Sequence, residues 1–386
     1  MTSKIPTSDE YIVSLLNEIN PLEYAKRRNF LGGGTKISPY ITHGFITPRE
    51  VRDYVAKHFD FDDQNKFVQE LAWREFFAHY ALTKPEALNH SVRKTLIDEN
   101  YYKKSIPADI KYGVTGIPVI DQSVEELYRT GYLHNHSRMW LSSYMVHYRK
   151  VSWQVGAAWM YSHLLDGDLA SNNLSWQWIA GTLTGKPYIF NAENVKKYAP
   201  SLNSDGTRLD QTYALLNDIA RSPNSIEPEP KNRRAPCKIP KIITNLTELE
   251  LEFRSDLPRK SDLTICHPWD LTKKSGKFDV CVIIKDYHHA HPWNLKRWKF
   301  VYSRIRTIAT TVAAISKKQI YPAFKGKKVR TSSPVKPFYE DLLEIPNISI
   351  INRDLLHRVE HKHYPSFSKY WKAVKKTPKA TNHKMN

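Results

Sequence analysis

Cysteine is scarce in this chain: Cys237, Cys266 and Cys281 are its three, with no CxxC spacing among them. Three thiols do not make the disulfide framework of a small secreted domain, nor the four thiolates of an iron–sulfur cluster. Long apolar runs are missing too. No 18-residue apolar stretch offers a membrane span, and the opening MTSKIPTSDE has no apolar signal core. These absences favour a soluble, intracellular protein without a membrane partner, with nucleus or cytoplasm left open. Metal-ligand spacing is also lacking. His288-His289-Ala290-His291 and Asp166-Gly167-Asp168 have no third and fourth ligand at a sensible distance, so no metal is expected.

What is present is aromatic and basic. The 386 residues include 10 Trp and 22 Tyr, flat rings that suit a core or a cofactor pocket equally well. A formal net charge of +19 points to an anionic partner such as nucleic acid. That charge is unevenly spread. Residues 1–200 hold 23 Lys and Arg against 21 Asp and Glu, whereas the remainder hold 35 against 18.

The length predicts two domains. From Tyr11 to about Ser201 the pattern is helical, with apolar residues three and four apart over Pro48–Phe59, Gln64–Leu82, Asp121–Thr130 and Asn135–Tyr148. Residues 221–241, with five prolines, read as a linker. Beyond it come short strand-like runs at Leu263–Cys266, Asp279–Ile284 and Ile348–Ile351, with a helical pattern over Trp298–Ile315. The expectation is a mainly α domain over 1–220, then a smaller basic α/β domain over 242–386 with a largely parallel sheet.

The chemistry concentrates between residues 115 and 199. Asn135, Arg138 and Met139 share one helix face through i,i+3 and i,i+4 spacing, and can line a pocket with a polar edge and an apolar floor. A buried Arg138 needs a carboxylate, from Asp166 or Asp168. Trp176 and Trp178, two apart on a helix, point about 200° apart, so one faces inward and the other an opening.

Four ordered motifs then resemble the DNA photolyase/cryptochrome family. They are Thr35-Lys36-Ile37-Ser38-Pro39-Tyr40 with Gly44 and Pro48-Arg49, and Glu70-Leu71-Ala72-Trp73-Arg74-Glu75-Phe76. Further on come Thr115-Gly116-Ile117-Pro118 to Arg138-Met139, and Asp166-Gly167-Asp168-Leu169-Ala170 to Trp176-Gln177-Trp178. The resemblance implies that the helical domain binds FAD and that the α/β domain is a Rossmann-like relative of the family's antenna domain, placed after the flavin motifs rather than before them. The antenna chromophore is not legible.

Residue by residue, the resemblance implies that Tyr24, Thr35, Lys36, Ile37 and Ser38 hold the pyrophosphate, with Asn135, Arg138, Asp166 and Asp168 around the flavin. Asn172 would sit near flavin N5 as a neutral hydrogen-bond donor. Trp73, Met139, Trp178, Glu70 and His136 would contact the lesion, a pair of flipped, damaged pyrimidines, and Trp176 and Trp153 would carry electrons. The outermost tryptophan of that chain is missing, which leaves Tyr101 or Tyr102. His136 stands where dimer-repair enzymes usually carry Arg. The expected activity is light-driven repair of pyrimidine dimers by a monomer acting on DNA. A photoreceptor without repair, or a nucleic-acid-binding protein with a vestigial flavin fold, are the rivals.

Overall fold

The computed structural model describes residues 5–229, 234–273, 276–332, 339–351 and 355–376. Its helical part is punctuated where the sequence carries caps. Helix α1 (Pro48–Val55) opens on proline behind a reciprocal Thr47/Glu50 capping box. Helix α2 (Lys66–Thr83) starts at Asn65, whose side chain accepts from the Phe67 amide. Helix α3 (Pro118–Thr130) ends at Gly131, whose φ of 73° makes glycine the natural stop. Helices α4 (Asn135–Ser143), α5 (Trp153–His163) and α6 (Leu169–Ala180) follow, α6 being capped by Asp168 through the Ser171 amide.

The segment read as a linker is docked rather than loose. The Ile226, Glu229 and Cys237 amides donate to the carbonyls of Tyr148, Thr115 and Tyr112. Residues 230–233 lie outside the described residues.

The α/β part is a five-stranded, all-parallel sheet. Its strands are β1 (Asp262–Cys266), β2 (Phe278–Ile284), β3 (Ala309–Ile315), β4 (Lys328–Ser332) and β5 (Ile348–Ile351), in the order β3-β2-β1-β4-β5. That order, reversing between β1 and β4, is the doubly wound Rossmann arrangement. Two differences from the sequence pattern stand out. The helix expected over Trp298–Ile315 is α7 (Leu295–Ile308), and its last seven residues, ATTVAAI, form β3 instead. β-branched residues and pairing with β2 along its full length outweigh the continuing apolar period there. Strand β4, KVRTS, has too few apolar residues to be read as a strand, yet it sits between β1 and β5.

The two parts share one hydrophobic core, which joins Ile12, Tyr40 and Tyr161 to Trp269, Val282 and Trp293. Polar contacts reinforce it. Trp293 Nε1 donates to Tyr161 Oη at 3.1 Å, and Asn294 Nδ2 to the His163 carbonyl at 2.8 Å. After β5 the chain returns to the helical part, where α8 (Phe367–Lys376) packs on α2. No helix among the described residues is long and apolar enough to cross a membrane.

Candidate flavin-binding site

One cavity, with about 1070 Å³ of empty space partly open to solvent, lies between α2, α4, α5 and α6. At its floor Arg138 Nη2 donates to both Asp166 oxygens, at 2.8 and 3.0 Å. Ser38 Oγ donates to the same carboxylate at 2.6 Å. Asp166 is therefore the partner that the sequence left open. Burial alone would raise its pKa, but the Arg138 and Ser38 contacts hold it below the usual carboxylate range.

Asp168 has a different task, capping α6, with Arg74 Nη1 3.8 Å away. Arg74 is partly buried, and burial pulls it down to about 10 despite the nearby Asp166 charge. The Asp-Gly-Asp turn is gripped from the α/β part, where Arg297 Nη2 donates to the Gly167 carbonyl at 2.6 Å. A Cβ on Gly167 would lie 2.9 Å from the Tyr161 carbonyl oxygen and 2.6 Å from Arg297 Nη1, and the backbone contact in particular favours glycine here.

Tyr24, Ser38, Glu70, Trp73, Asn135, Arg138, Met139, Asp166, Asp168, Asn172 and Trp176 all line the cavity. Thr35, Lys36 and Ile37 are not lining residues; Lys36 instead makes the turn into Ser38 with a φ of 56°. Glu70 is paired with Arg28 at 2.5 Å and with Lys66 at 3.6 Å.

Asn172 corrects an expectation. Its Nδ2 donates to the Ala157 carbonyl and to Asn173 Oδ1, at 3.0 and 2.9 Å. With both amide hydrogens spent, the side chain offers a ligand its carbonyl oxygen, an acceptor rather than a donor.

Two other residues lie away from the cavity. His136 is buried against His134, Trp140 and Tyr198, where burial lowers its pKa to about 4 and leaves it neutral at pH 7. It brings no cation to the lining. Trp178 turns away from Trp176, as i and i+2 must on a helix. Its ring is 37% exposed and stacks on Tyr188 with centroids 5.7 Å apart, whereas Trp176 is 2% exposed and lines the cavity.

Trp153, on α5, donates from Nε1 to Ser91 Oγ at 2.9 Å and belongs with Trp176 to one apolar cluster. A small second cavity is lined by Trp153 together with Tyr102 and Glu99. Tyr102 is buried, and Tyr101 is 58% exposed.

The lining also carries residues that the sequence did not single out for the site: Arg74, Tyr132, Met160 and Ser171. Arg74 lay in plain view beside Trp73. Gly34 allows the neighbouring loop to approach, since a Cβ there would sit 2.9 Å from Tyr132 Oη.

A flavin fits the chemistry of this lining. Trp176 Nε1 and Ser171 Oγ are buried polar atoms without a hydrogen-bond partner among the described residues, as expected where a ligand supplies the partner. Around them stand an ion pair, an amide acceptor and apolar side chains, the mixture that orients a polar-edged planar ring.

Residues 67–238 match the family model described as the FAD binding domain of DNA photolyase. That stretch is a photolyase-type FAD-binding domain. A deoxyribodipyrimidine photo-lyase of Salmonella typhimurium is 31% identical over 209 residues, 51% of this chain and 43% of that protein. The chloroplastic/mitochondrial cryptochrome DASH of Ostreococcus tauri is 33% identical over 188 residues, 46% of this chain and 34% of that protein. Among solved structures, an archaeal photolyase from Sulfolobus tokodaii with two FAD molecules aligns with a TM-score of 0.45 at 26% identity, covering 60% of this chain and 54% of that one. The chain spans half or less of the length of these curated relatives. FAD is the cofactor of the photolyase-type domain that it carries.

Proposed function

We propose that this protein repairs cyclobutane pyrimidine dimers in DNA, driven by light and dependent on FAD. The observation that carries the reading is a single cavity lined both by Arg138, Asp166, Asn172 and Trp176 and by Trp73, Met139 and Glu70. The first group suits a flavin ring; the second suits unstacked pyrimidines. Held in one space, the two partners need no diffusive step to meet.

FAD, when bound, supplies the light-absorbing, electron-donating ring. The chain's own residues do the rest. The Arg138–Asp166 pair fixes a charge pattern at the floor, and Asn172 presents an acceptor to a ring N–H. Trp73 and Met139 give flat and soft surfaces against which bases stack, worth about 1–3 kcal/mol per base. Trp176 and Trp153 form the inner electron route, with Tyr102, beside Trp153, favoured over Tyr101 as the outer donor.

A photoreceptor role without repair draws on a specific observation too: neither His136 nor Trp178 lines the cavity, so two of the five residues assigned to the lesion do not meet there. Purified, FAD-loaded protein should restore a defined dimer-containing oligonucleotide to intact pyrimidines under blue light and not in the dark. Light-dependent flavin reduction without any loss of dimers would favour the photoreceptor.

A further inference from the structure

The last described segment, residues 355–376, returns from the α/β part and lays an aromatic face on α2. Phe367 stacks on Trp73 with ring centroids 4.0 Å apart and planes 9° from parallel. Trp371, one helical turn on, stacks on Phe367 at 5.6 Å and 16°. Trp73, Phe367 and Trp371 thus form a column of three near-parallel rings.

The column is anchored at its far end. His357 meets the Trp371 ring edge-on at 5.3 Å. Glu75, two residues after Trp73 in α2, accepts from the Leu356 and His357 amides at 2.6 and 3.1 Å. Contacts therefore run in a closed circuit, from α2 through Glu75, His357, Trp371 and Phe367 back to Trp73. Phe76 and Phe77 pack against Trp73 at 5.6 and 5.3 Å and confine it further.

Trp73 lines the cavity and Phe367 does not. Phe367 thus covers one face of the indole without itself reaching the cavity.

We infer that Phe367 is a positioning residue for Trp73: it braces the indole from behind so that its opposite face can take a flat base as the next ring of the column. The ligand class is an unstacked pyrimidine pair, which rests on the function proposed above. The α/β part would then contribute to recognition through its C-terminal return, without itself touching the base. An indole free to swing about its side-chain bonds must be ordered at each binding event; one clamped in a ring stack is already ordered.

The test uses full-length, FAD-loaded protein and a fluorescent oligonucleotide with one cyclobutane thymine dimer, against the same sequence undamaged. Four forms are compared: wild type, Trp73→Ala, Phe367→Ala and Phe367→Tyr. Trp73→Ala should weaken dimer binding by about 5- to 150-fold, the range that loss of one stacking ring gives. Phe367→Ala should lose at least about 3-fold on the dimer, a part of the Trp73 effect, and leave undamaged DNA within about 2-fold. Phe367→Tyr, which keeps the flat ring, should restore dimer binding. Flavin content and melting temperature report folding, and Phe367→Leu replaces Phe367→Ala if the latter does not fold.

Dimer binding unchanged in Phe367→Ala but lost in Trp73→Ala would overturn the brace and leave the lesion reading standing. Tighter dimer binding in Phe367→Ala would also overturn it, because the ring would then be a plug. No loss in Trp73→Ala would remove the lesion pocket at this position, and the brace with it.

Discussion

Trp176 is the residue on which most of the proposed chemistry converges. Its indole lines the cavity, its Nε1 has no partner among the described residues, and Trp153 lies in the same apolar cluster. Trp176→Phe keeps a flat apolar wall while removing the readily oxidised ring and the N–H. FAD should stay bound and its photoreduction should be lost, read as the bleaching of flavin absorbance under blue light with a mild reductant. Photoreduction at the wild-type rate would place the electron route elsewhere. Individual residues were legible in the sequence where a motif fixed both type and neighbours, as with Arg138, Asp166 and Asn172. Motifs do not fix side-chain direction. His136 sits one residue after Asn135, yet the helix turns it into a cluster with Tyr198; Asn172 spends its hydrogens on Ala157, a contact that spacing alone does not show. Phe367 was out of reach for another reason: it lies almost 300 positions from Trp73, and nothing local links the two. The run Phe367-Ser-Lys-Tyr370-Trp371 does carry an aromatic face at helical spacing, and that was the signal to read.

Between elements, the tightest fit is that of α5 against α6. A Cβ on Gly156 would lie 2.3 and 2.4 Å from two carbons of the Trp176 ring, so only glycine lets these helices approach with the indole between them. Gly156→Ala gains up to about 1 kcal/mol of helix propensity and loses to overpacking, which costs about 1–3 kcal/mol. The net should be a lower melting temperature together with weaker FAD retention, since the displaced ring is itself part of the cavity wall. An unchanged melting temperature and flavin content would show that the helices part without cost. The contact of α2 with the C-terminal return carries a pH dependence. Burial raises Glu75 to about 7, although the Leu356 and His357 amides and the Arg49 charge pull the other way, and Tyr370 faces it without charge at neutral pH. A carboxyl whose folded pKa lies above its unfolded value binds its proton more tightly when folded. Its contribution is full below about pH 4.5 and is lost as pH rises through 7. Wild-type stability should therefore fall between pH 5 and pH 8, and Glu75→Gln should flatten that slope in thermal melts. Equal slopes would assign the dependence to other groups. Helix starts were legible from Pro, Asn and Thr caps, whereas β3 was hidden because an apolar run after a helix looks the same whether the helix continues or a buried strand begins.

At the scale of the whole molecule, charge and core divide the chain differently. The core is common to both parts, and Arg297 reaches from α7 to the Gly167 carbonyl beneath the cavity. The charge is not common, because 35 of the 58 Lys and Arg lie after residue 200. A truncated helical part would expose the shared core, so the role of the basic half is better tested in the full chain. Helix α8 gives the place to do so. Its Phe367 and Trp371 face inward, while Lys369, Lys372 and Lys375 are exposed on the same helix, next to the Trp73 that lines the cavity. DNA that delivers bases to this cavity would pass its backbone close to those lysines. Each phosphate they neutralise on duplex DNA contributes about −0.9 to the slope of log affinity against log salt. Replacing all three with Ala should make that slope shallower by up to about 2.7, in proportion to the contacts made. Damaged and undamaged DNA should lose affinity alike, because phosphate contacts position the duplex without reading its bases. The Trp73→Ala variant should do the reverse, losing dimer preference with an unaltered salt slope. An unchanged slope in the triple variant would place the DNA backbone away from α8, and the excess charge of the second half would then serve another surface.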